Sequence, residues 1–127
     1  MPQIKFVHTG GPFGDATDNY DVEFPTGWTV RDFIRYIVTD YSINSCNIWG
    51  SFSVSGRGYS NKPISEYNRG VLYQYEWSSE YFGPELARKL REQSKKTLEE
   101  VLDVKLVRVT ANGGWSNMGY NLYIEEE

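Results

Sequence analysis

Apolar residues recur along this chain with a spacing that changes from two to nearly four and back, and the changes mark its elements. Ile4-Lys5-Phe6-Val7 and Tyr20-Asp21-Val22-Glu23-Phe24 read as strands flanking residues 9–19, a stretch of Gly, Asp and Asn with the chemistry of a long hairpin loop. Val30, Phe33, Ile34, Ile37 and Val38 then fall on one helical face, with Thr29 and Asp32 placed to cap its amino end. Ile48, Gly50, Phe52 and Val54 alternate with Trp49, Ser51 and Ser53 as a third strand, and residues 55–69 read as a loop. Val71, Tyr73, Tyr75 and Trp77, alternating with Leu72, Gln74 and Glu76, predict a fourth strand with an aromatic face, paired with the third. Gly83-Pro84-Glu85 marks a helix start, because proline in a first turn loses no hydrogen bond. Gln93 and Ser94 interrupt the Leu86 and Leu90 stripe before Thr97, Leu98, Val101 and Leu102 resume it, which predicts two helices with Thr97 capping the second. Residues 104–110 and 118–124 form the last strands, joined at Asn112-Gly113-Gly114, with Met118, Tyr120, Leu122 and Ile124 sharing a core face.

The order predicts one α+β domain over residues 1–127. Its mixed or antiparallel sheet has about six strands, with one amphipathic helix after the first hairpin and a helical insertion before the last. The opening hairpin and the Thr29-Val30-Arg31-Asp32-Phe33-Ile34 run that starts the helix resemble the ubiquitin-like β-grasp fold over about the first forty residues. That resemblance implies architecture alone, a scaffold used mostly to present surfaces. The chain ends in Glu125-Glu126-Glu127, where conjugated ubiquitin-like members end in two glycines, and one cysteine cannot hold the cluster of a β-grasp ferredoxin.

A length of 127 residues suits a single core, and 39% hydrophobic residues supply enough apolar surface to build it. The net charge of -4 opposes a surface built throughout for nucleic acid or anionic lipid, which needs excess Lys and Arg. No window reaches the roughly 18 apolar residues of a membrane span. With Cys46 as the sole cysteine, a soluble, unprocessed, cytoplasmic protein without a membrane partner is expected.

Candidate chemistry is sparse, and neither catalytic residues, a metal site nor a cofactor is expected. His8 and Cys46 would have to meet in space to make a nucleophilic pair. Asp15, Asp18 and Asp21 lack the spacing of a calcium loop. Gly10-Gly11-Pro12-Phe13-Gly14 lies between strands, without the helix amino terminus of a phosphate cradle. Ten Tyr and four Trp exceed what one core needs, and both types favour protein interfaces. Tyr59, Tyr67, Tyr81 and Phe82, in the loops expected over residues 55–69 and 78–82 beside Gly or Pro, are therefore expected to present a surface to a protein partner, with a homodimer as one form of it. A non-enzymatic protein-interaction module is the first expectation. The alternative is a nucleic-acid-binding accessory protein using Arg88, Lys89, Arg91, Lys95 and Lys96 with Trp49, Tyr73, Tyr75 and Trp77 as stacking faces. A third is a small enzyme without a recognisable motif.

Overall fold

The computed structural model describes residues 3–12, 17–41, 45, 47–74, 79–114 and 116–127; within the long helix the side chains at 79–83, 86–87 and 90 lie outside that description. Strands β1 (Lys5–Gly10) and β2 (Asn19–Glu23) pair antiparallel. Helix α1 (Val30–Tyr36) follows and ends in a π-helical turn, Ile37–Tyr41. Its start is built by a capping box: the Thr29 hydroxyl accepts from the Asp32 N–H, and the Asp32 carboxylate accepts from the Thr29 N–H at 3.0 Å. The next two N–H groups, which no helical carbonyl can reach, donate to Val104 and Leu102 at 3.1 and 2.8 Å.

Strands β3 (Trp49–Gly56), β4 (Tyr59–Asn68) and β5 (Val71–Gln74) form a meander, and helix α2 (Ser79–Val101) leads to the hairpin of β6 (Leu106–Gly113) and β7 (Asn117–Ile124). All seven strands join one mixed sheet in the order β1-β2-β6-β7-β3-β4-β5, with β3 and β7 parallel and every other pair antiparallel. The molecule is therefore α+β. Among the described residues no helix is long and apolar enough to cross a membrane.

Two expectations are corrected here. Residues 55–69 are not a loop, since they contain β4, the extra strand. Its turns explain the misreading. Arg57 and Gly58 have φ of 55° and 88°, Arg69 and Gly70 have 53° and 84°, and both pairs join adjacent strands as two-residue hairpin turns with left-handed central residues. Arginine is uncommon there, because its Cβ disfavours positive φ. Pro63 pairs with Ser53 of β3, and among the described residues β5 pairs only with Ser65–Asn68, short of the proline. Secondly, α2 is one helix beginning at Ser79, so Pro84 lies inside it and Thr97 caps nothing. The Thr97 hydroxyl instead donates at 2.9 Å to the carbonyl of Gln93, one turn back. Because Asn accepts positive φ more readily than Arg, Arg69→Asn is expected to raise stability by about 0.5–1 kcal/mol in urea unfolding. A lower midpoint would show that the Arg69 side chain contributes more than its backbone conformation costs.

Alternation assigns the two faces. Phe52, Val54, Val109, Tyr120 and Leu122 point from the sheet to one side and are buried under Val30, Phe33 and Ile37 of the first helical segment and Leu98 and Val101 of α2. Tyr120 lies at the centre, with ring centroids 5.5 Å from Phe33 and 5.4 Å from Phe52, and Phe52 in turn lies 5.7 Å from Tyr67. The opposite parity holds small polar residues in register across the strands. One row runs Asn19, Asn112, Gly119, Ser51; the next runs Asp21, Thr110, Asn121, Ser53.

Candidate interaction surface

Five of the seven large apolar side chains exposed among the described residues cluster at one corner of the sheet: Ile48, Trp49, Val71, Leu72 and Tyr73, each 40–52% exposed. Register places them. Asn117, Trp49, Asn68 and Val71 form a row across four strands, and Gly119, Ser51, Glu66 and Tyr73 form the row beside it. Trp49, Val71 and Tyr73 therefore stand on the face away from the helices, while Leu72, opposite the buried Tyr67, stands on the helix side. A shallow depression of ≈ 750 Å³ runs between them, with Ile48, Trp49, Val71 and Tyr73 as its apolar walls and Arg69 and Asn117 at its margin. The corner is also an edge. β5 pairs with β4 alone, so its other side carries no strand among the described residues. Soluble proteins usually blunt such an edge with charge or proline, and Val-Leu-Tyr-Gln has neither.

The residues expected to form a partner surface are dispersed. Tyr59 begins β4, half-buried, and its hydroxyl donates at 2.7 Å to Glu100 on α2, a bond that raises its pKa. Tyr67 is fully buried in β4 rather than set in a loop, because it faces Gly50 across the strand pair and packs its ring there. Tyr81 and Phe82 lie on α2 and not in a loop, and their side chains fall outside the described residues.

The basic cluster is likewise divided. At 100° per residue, Glu85, Glu92 and Glu99 form a stripe down the exposed side of α2, with Arg88, Arg91 and Lys95 on one flank and Lys89 and Lys96 on the other. Arg88 bonds Glu92 at 3.0 Å and Glu85 at 3.3 Å. The helix packs on the inner face of β4 and β5, whereas Trp49 and Tyr73 stand on the outer one. Charge and aromatic rings thus occupy opposite sides of the sheet, which gives a single strand no common track. Tyr75 and Trp77 lie outside the described residues.

No family model matches this chain. No curated protein and no solved structure matches it either.

The remaining candidate residues that the structure describes bond to one another around the first hairpin. The buried Asp18 carboxylate meets His8 Nε2 at 2.5 Å through Oδ1 and accepts the Tyr20 hydroxyl through Oδ2. The bond to Asp18, aided by burial, pushes the Tyr20 phenol up to about 12. His8 Nε2 also lies 2.9 Å from the carbonyl of Gly11, so the cluster fastens both ends of the first hairpin loop. Asp21 pairs with Arg108 at 3.0 Å, and among the described residues no three metal-ligating side chains converge. Cys46 and Asp15 lie outside the described residues, so neither the thiol pair nor the acidic triplet is located.

Proposed function

We propose that this chain is a non-enzymatic protein-interaction module whose β5 edge receives an extended apolar segment of a partner protein. The observation that supports it is the coincidence of a strand edge that pairs with no other strand among the described residues with the cluster of Ile48, Trp49, Val71, Leu72 and Tyr73. Strand addition divides the work. Main-chain hydrogen bonds supply affinity, and side chains alternating above and below the new strand supply specificity. Both sides of β5 offer apolar contacts, with Val71 and Tyr73 on the outer face and Leu72 on the inner. In this reading the sheet is a rigid frame, as in a β-grasp-like presenter, and its edge is the working part. The partner's strand would carry apolar residues at alternate positions, because Trp49 and Tyr73 are the kind of large, slightly polar anchors that dominate interface energies.

The test is a tagged capture from lysate, treated with nuclease and read by mass spectrometry, with the wild type beside Val71→Lys/Tyr73→Lys. Two lysines on the outer face should blunt the edge while circular dichroism stays unchanged, since both positions are about half exposed. The partner retained by the wild type is expected to fall at least tenfold with the double variant. An identical set of captured proteins from both would sink the proposal, and recovery that disappears with nuclease would move the assignment to the basic residues of α2.

A further inference from the structure

The outer face of the sheet changes character away from the apolar corner. Two depressions of ≈ 370 and ≈ 220 Å³ lie over β2, β6, β7 and β3 and share Asn61, Asn112 and Asn121, which makes them one groove. Antiparallel sheets commonly leave one face to water, so polarity alone assigns nothing. Three features go further.

The first is Asn61. It lies in β4 at φ 49°, in the left-handed region, where the register between β3 and β4 shifts. The irregularity brings Asn61 over the outer face, as bulges beside functional sites commonly re-aim a side chain. Its carboxamide oxygen accepts from Ser53 at 2.6 Å, its N–H donates to the Ser55 hydroxyl at 2.9 Å, and that hydroxyl donates to the Asn121 carboxamide oxygen at 3.0 Å. Both amide oxygens are thereby held by hydroxyls, and both amide NH₂ groups are oriented to donate elsewhere.

The second is the floor. Gly119 sits on the outer parity of β7 between Asn112 and Ser51, and a Cβ there would lie 3.1 Å from the Asn112 carboxamide oxygen and 3.7 Å from the Ser51 hydroxyl. Any side chain at 119 would occupy the floor of the groove.

The third is charge. Among the described residues, Asp21 and Arg108 are the only ionised ones lining the groove, and they pair with each other at 3.0 Å. Among the described residues an anion finds no cation outside that pair and a cation no carboxylate outside it, and the lining is too polar for an apolar ligand. An extended peptide satisfies its backbone at a strand edge and not on a sheet face. The remaining match is a neutral molecule dense in groups that donate and accept at once, as Ser and Thr hydroxyls and Asn amides do. Arg108 is further held by Tyr123, its cross-strand neighbour, with the guanidinium 5.4 Å from the ring centre.

We propose that this groove binds a neutral oligosaccharide, independently of the β5 edge. The test uses the full chain labelled with ¹⁵N and titrated with maltotetraose, cellotetraose and N-acetylchitotetraose, each to about 10 mM, which detects a Kd of about 1 mM or tighter. At least one sugar is expected to shift the side-chain amide signals of Asn61, Asn112 and Asn121 saturably. Gly119→Val should abolish the shifts while the rest of the spectrum stays folded. Should Gly119→Val fail to fold, Asn61→Gly carries the test. It relieves the left-handed backbone and removes one binding amide, so its melting temperature should hold or rise while affinity falls at least tenfold. The proposal is overturned by the absence of saturable shifts with all three sugars, by shifts that survive both variants, or by a Gly-Ser octapeptide shifting these amides where the sugars do not.

Discussion

Replacing Gly50 with alanine is expected to destabilise the fold by about 3 kcal/mol, the upper end for overpacking a core. Gly50 is buried on the inner face of β3, between Tyr67 of β4 and Met118 of β7. A Cβ built there would lie 2.5 Å from the Met118 carbonyl oxygen and 2.5 Å from Tyr67 Cε1. One obstacle is backbone in the parallel strand pair. The other is the ring of a fully buried tyrosine whose place is fixed by Phe52. Neither can yield without moving the centre of the sheet, and domains of this size have only about 5–15 kcal/mol in hand. Urea unfolding measures the loss, and a double-mutant cycle with Tyr67→Ala identifies its source. Tyr67→Ala alone should cost roughly 3–5 kcal/mol as a large-to-small change in a core. If the ring is the main obstacle, the double variant loses clearly less than the sum of the two. Additive losses would place the conflict at the Met118 carbonyl, and a Gly50→Ala protein as stable as the wild type would refute the packing argument.

The same glycine shows how much of this molecule can be read from its residues. Alternation in β3 separates Gly50, Phe52 and Val54 from Trp49, Ser51 and Ser53, and the structure buries the first set under the helices. Alternation gives the parity of a strand but not what covers each face. Trp49 carried a usable signal, since it is a large aromatic in phase with serines, and a residue of that type on the polar parity marks an exposed apolar patch. Val71 and Tyr73 gave no such sign, because their aromatic row reads equally well as core until the register with Asn68 and Glu66 places it on the outer face. The left-handed arginines at 57 and 69 concealed β4, and with it the burial of Tyr67, since the recognised two-residue hairpin signal is Asn-Gly or Asp-Gly and here arginine precedes each glycine. The groove was invisible for another reason. It assembles Asn61, Asn112 and Asn121 from three strands across a parallel contact between residues more than sixty positions apart, and no local pattern encodes that contact.

Alkali is expected to unfold this protein cooperatively between about pH 10 and 12. Burial pushes the Tyr67 phenol up to about 12 and raises that of Tyr120 well above the ordinary tyrosine value, with Tyr67 and Tyr41 as neighbours adding to the second. The two hydroxyls lie close enough to influence each other's titration, yet neither makes a hydrogen bond of ordinary geometry among the described residues. The sign follows from proton counting. Below pH 10 folded and unfolded chains both hold these protons, so the stability associated with them is fully present. Above pH 10 the unfolded chain releases them and the folded chain retains them, so stability declines as pH rises toward the folded values. Each phenol that stays protonated in the core weakens folding by about 1.4 kcal/mol for every pH unit in that window. Tyr20, raised chiefly by its bond to Asp18 and closer to solvent, acts in the same direction with a smaller share after screening. Absorbance at 295 nm should therefore show the phenols of Tyr67 and Tyr120 ionising together with the loss of far-ultraviolet circular dichroism. Tyr67→Phe keeps the ring and removes the hydroxyl, so its alkaline midpoint should rise while its stability at pH 7 changes by less than about 1 kcal/mol. Ionisation of Tyr67 and Tyr120 near pH 10 in a still-folded protein would show that their phenols reach water, and that the core drawn around them is wrong.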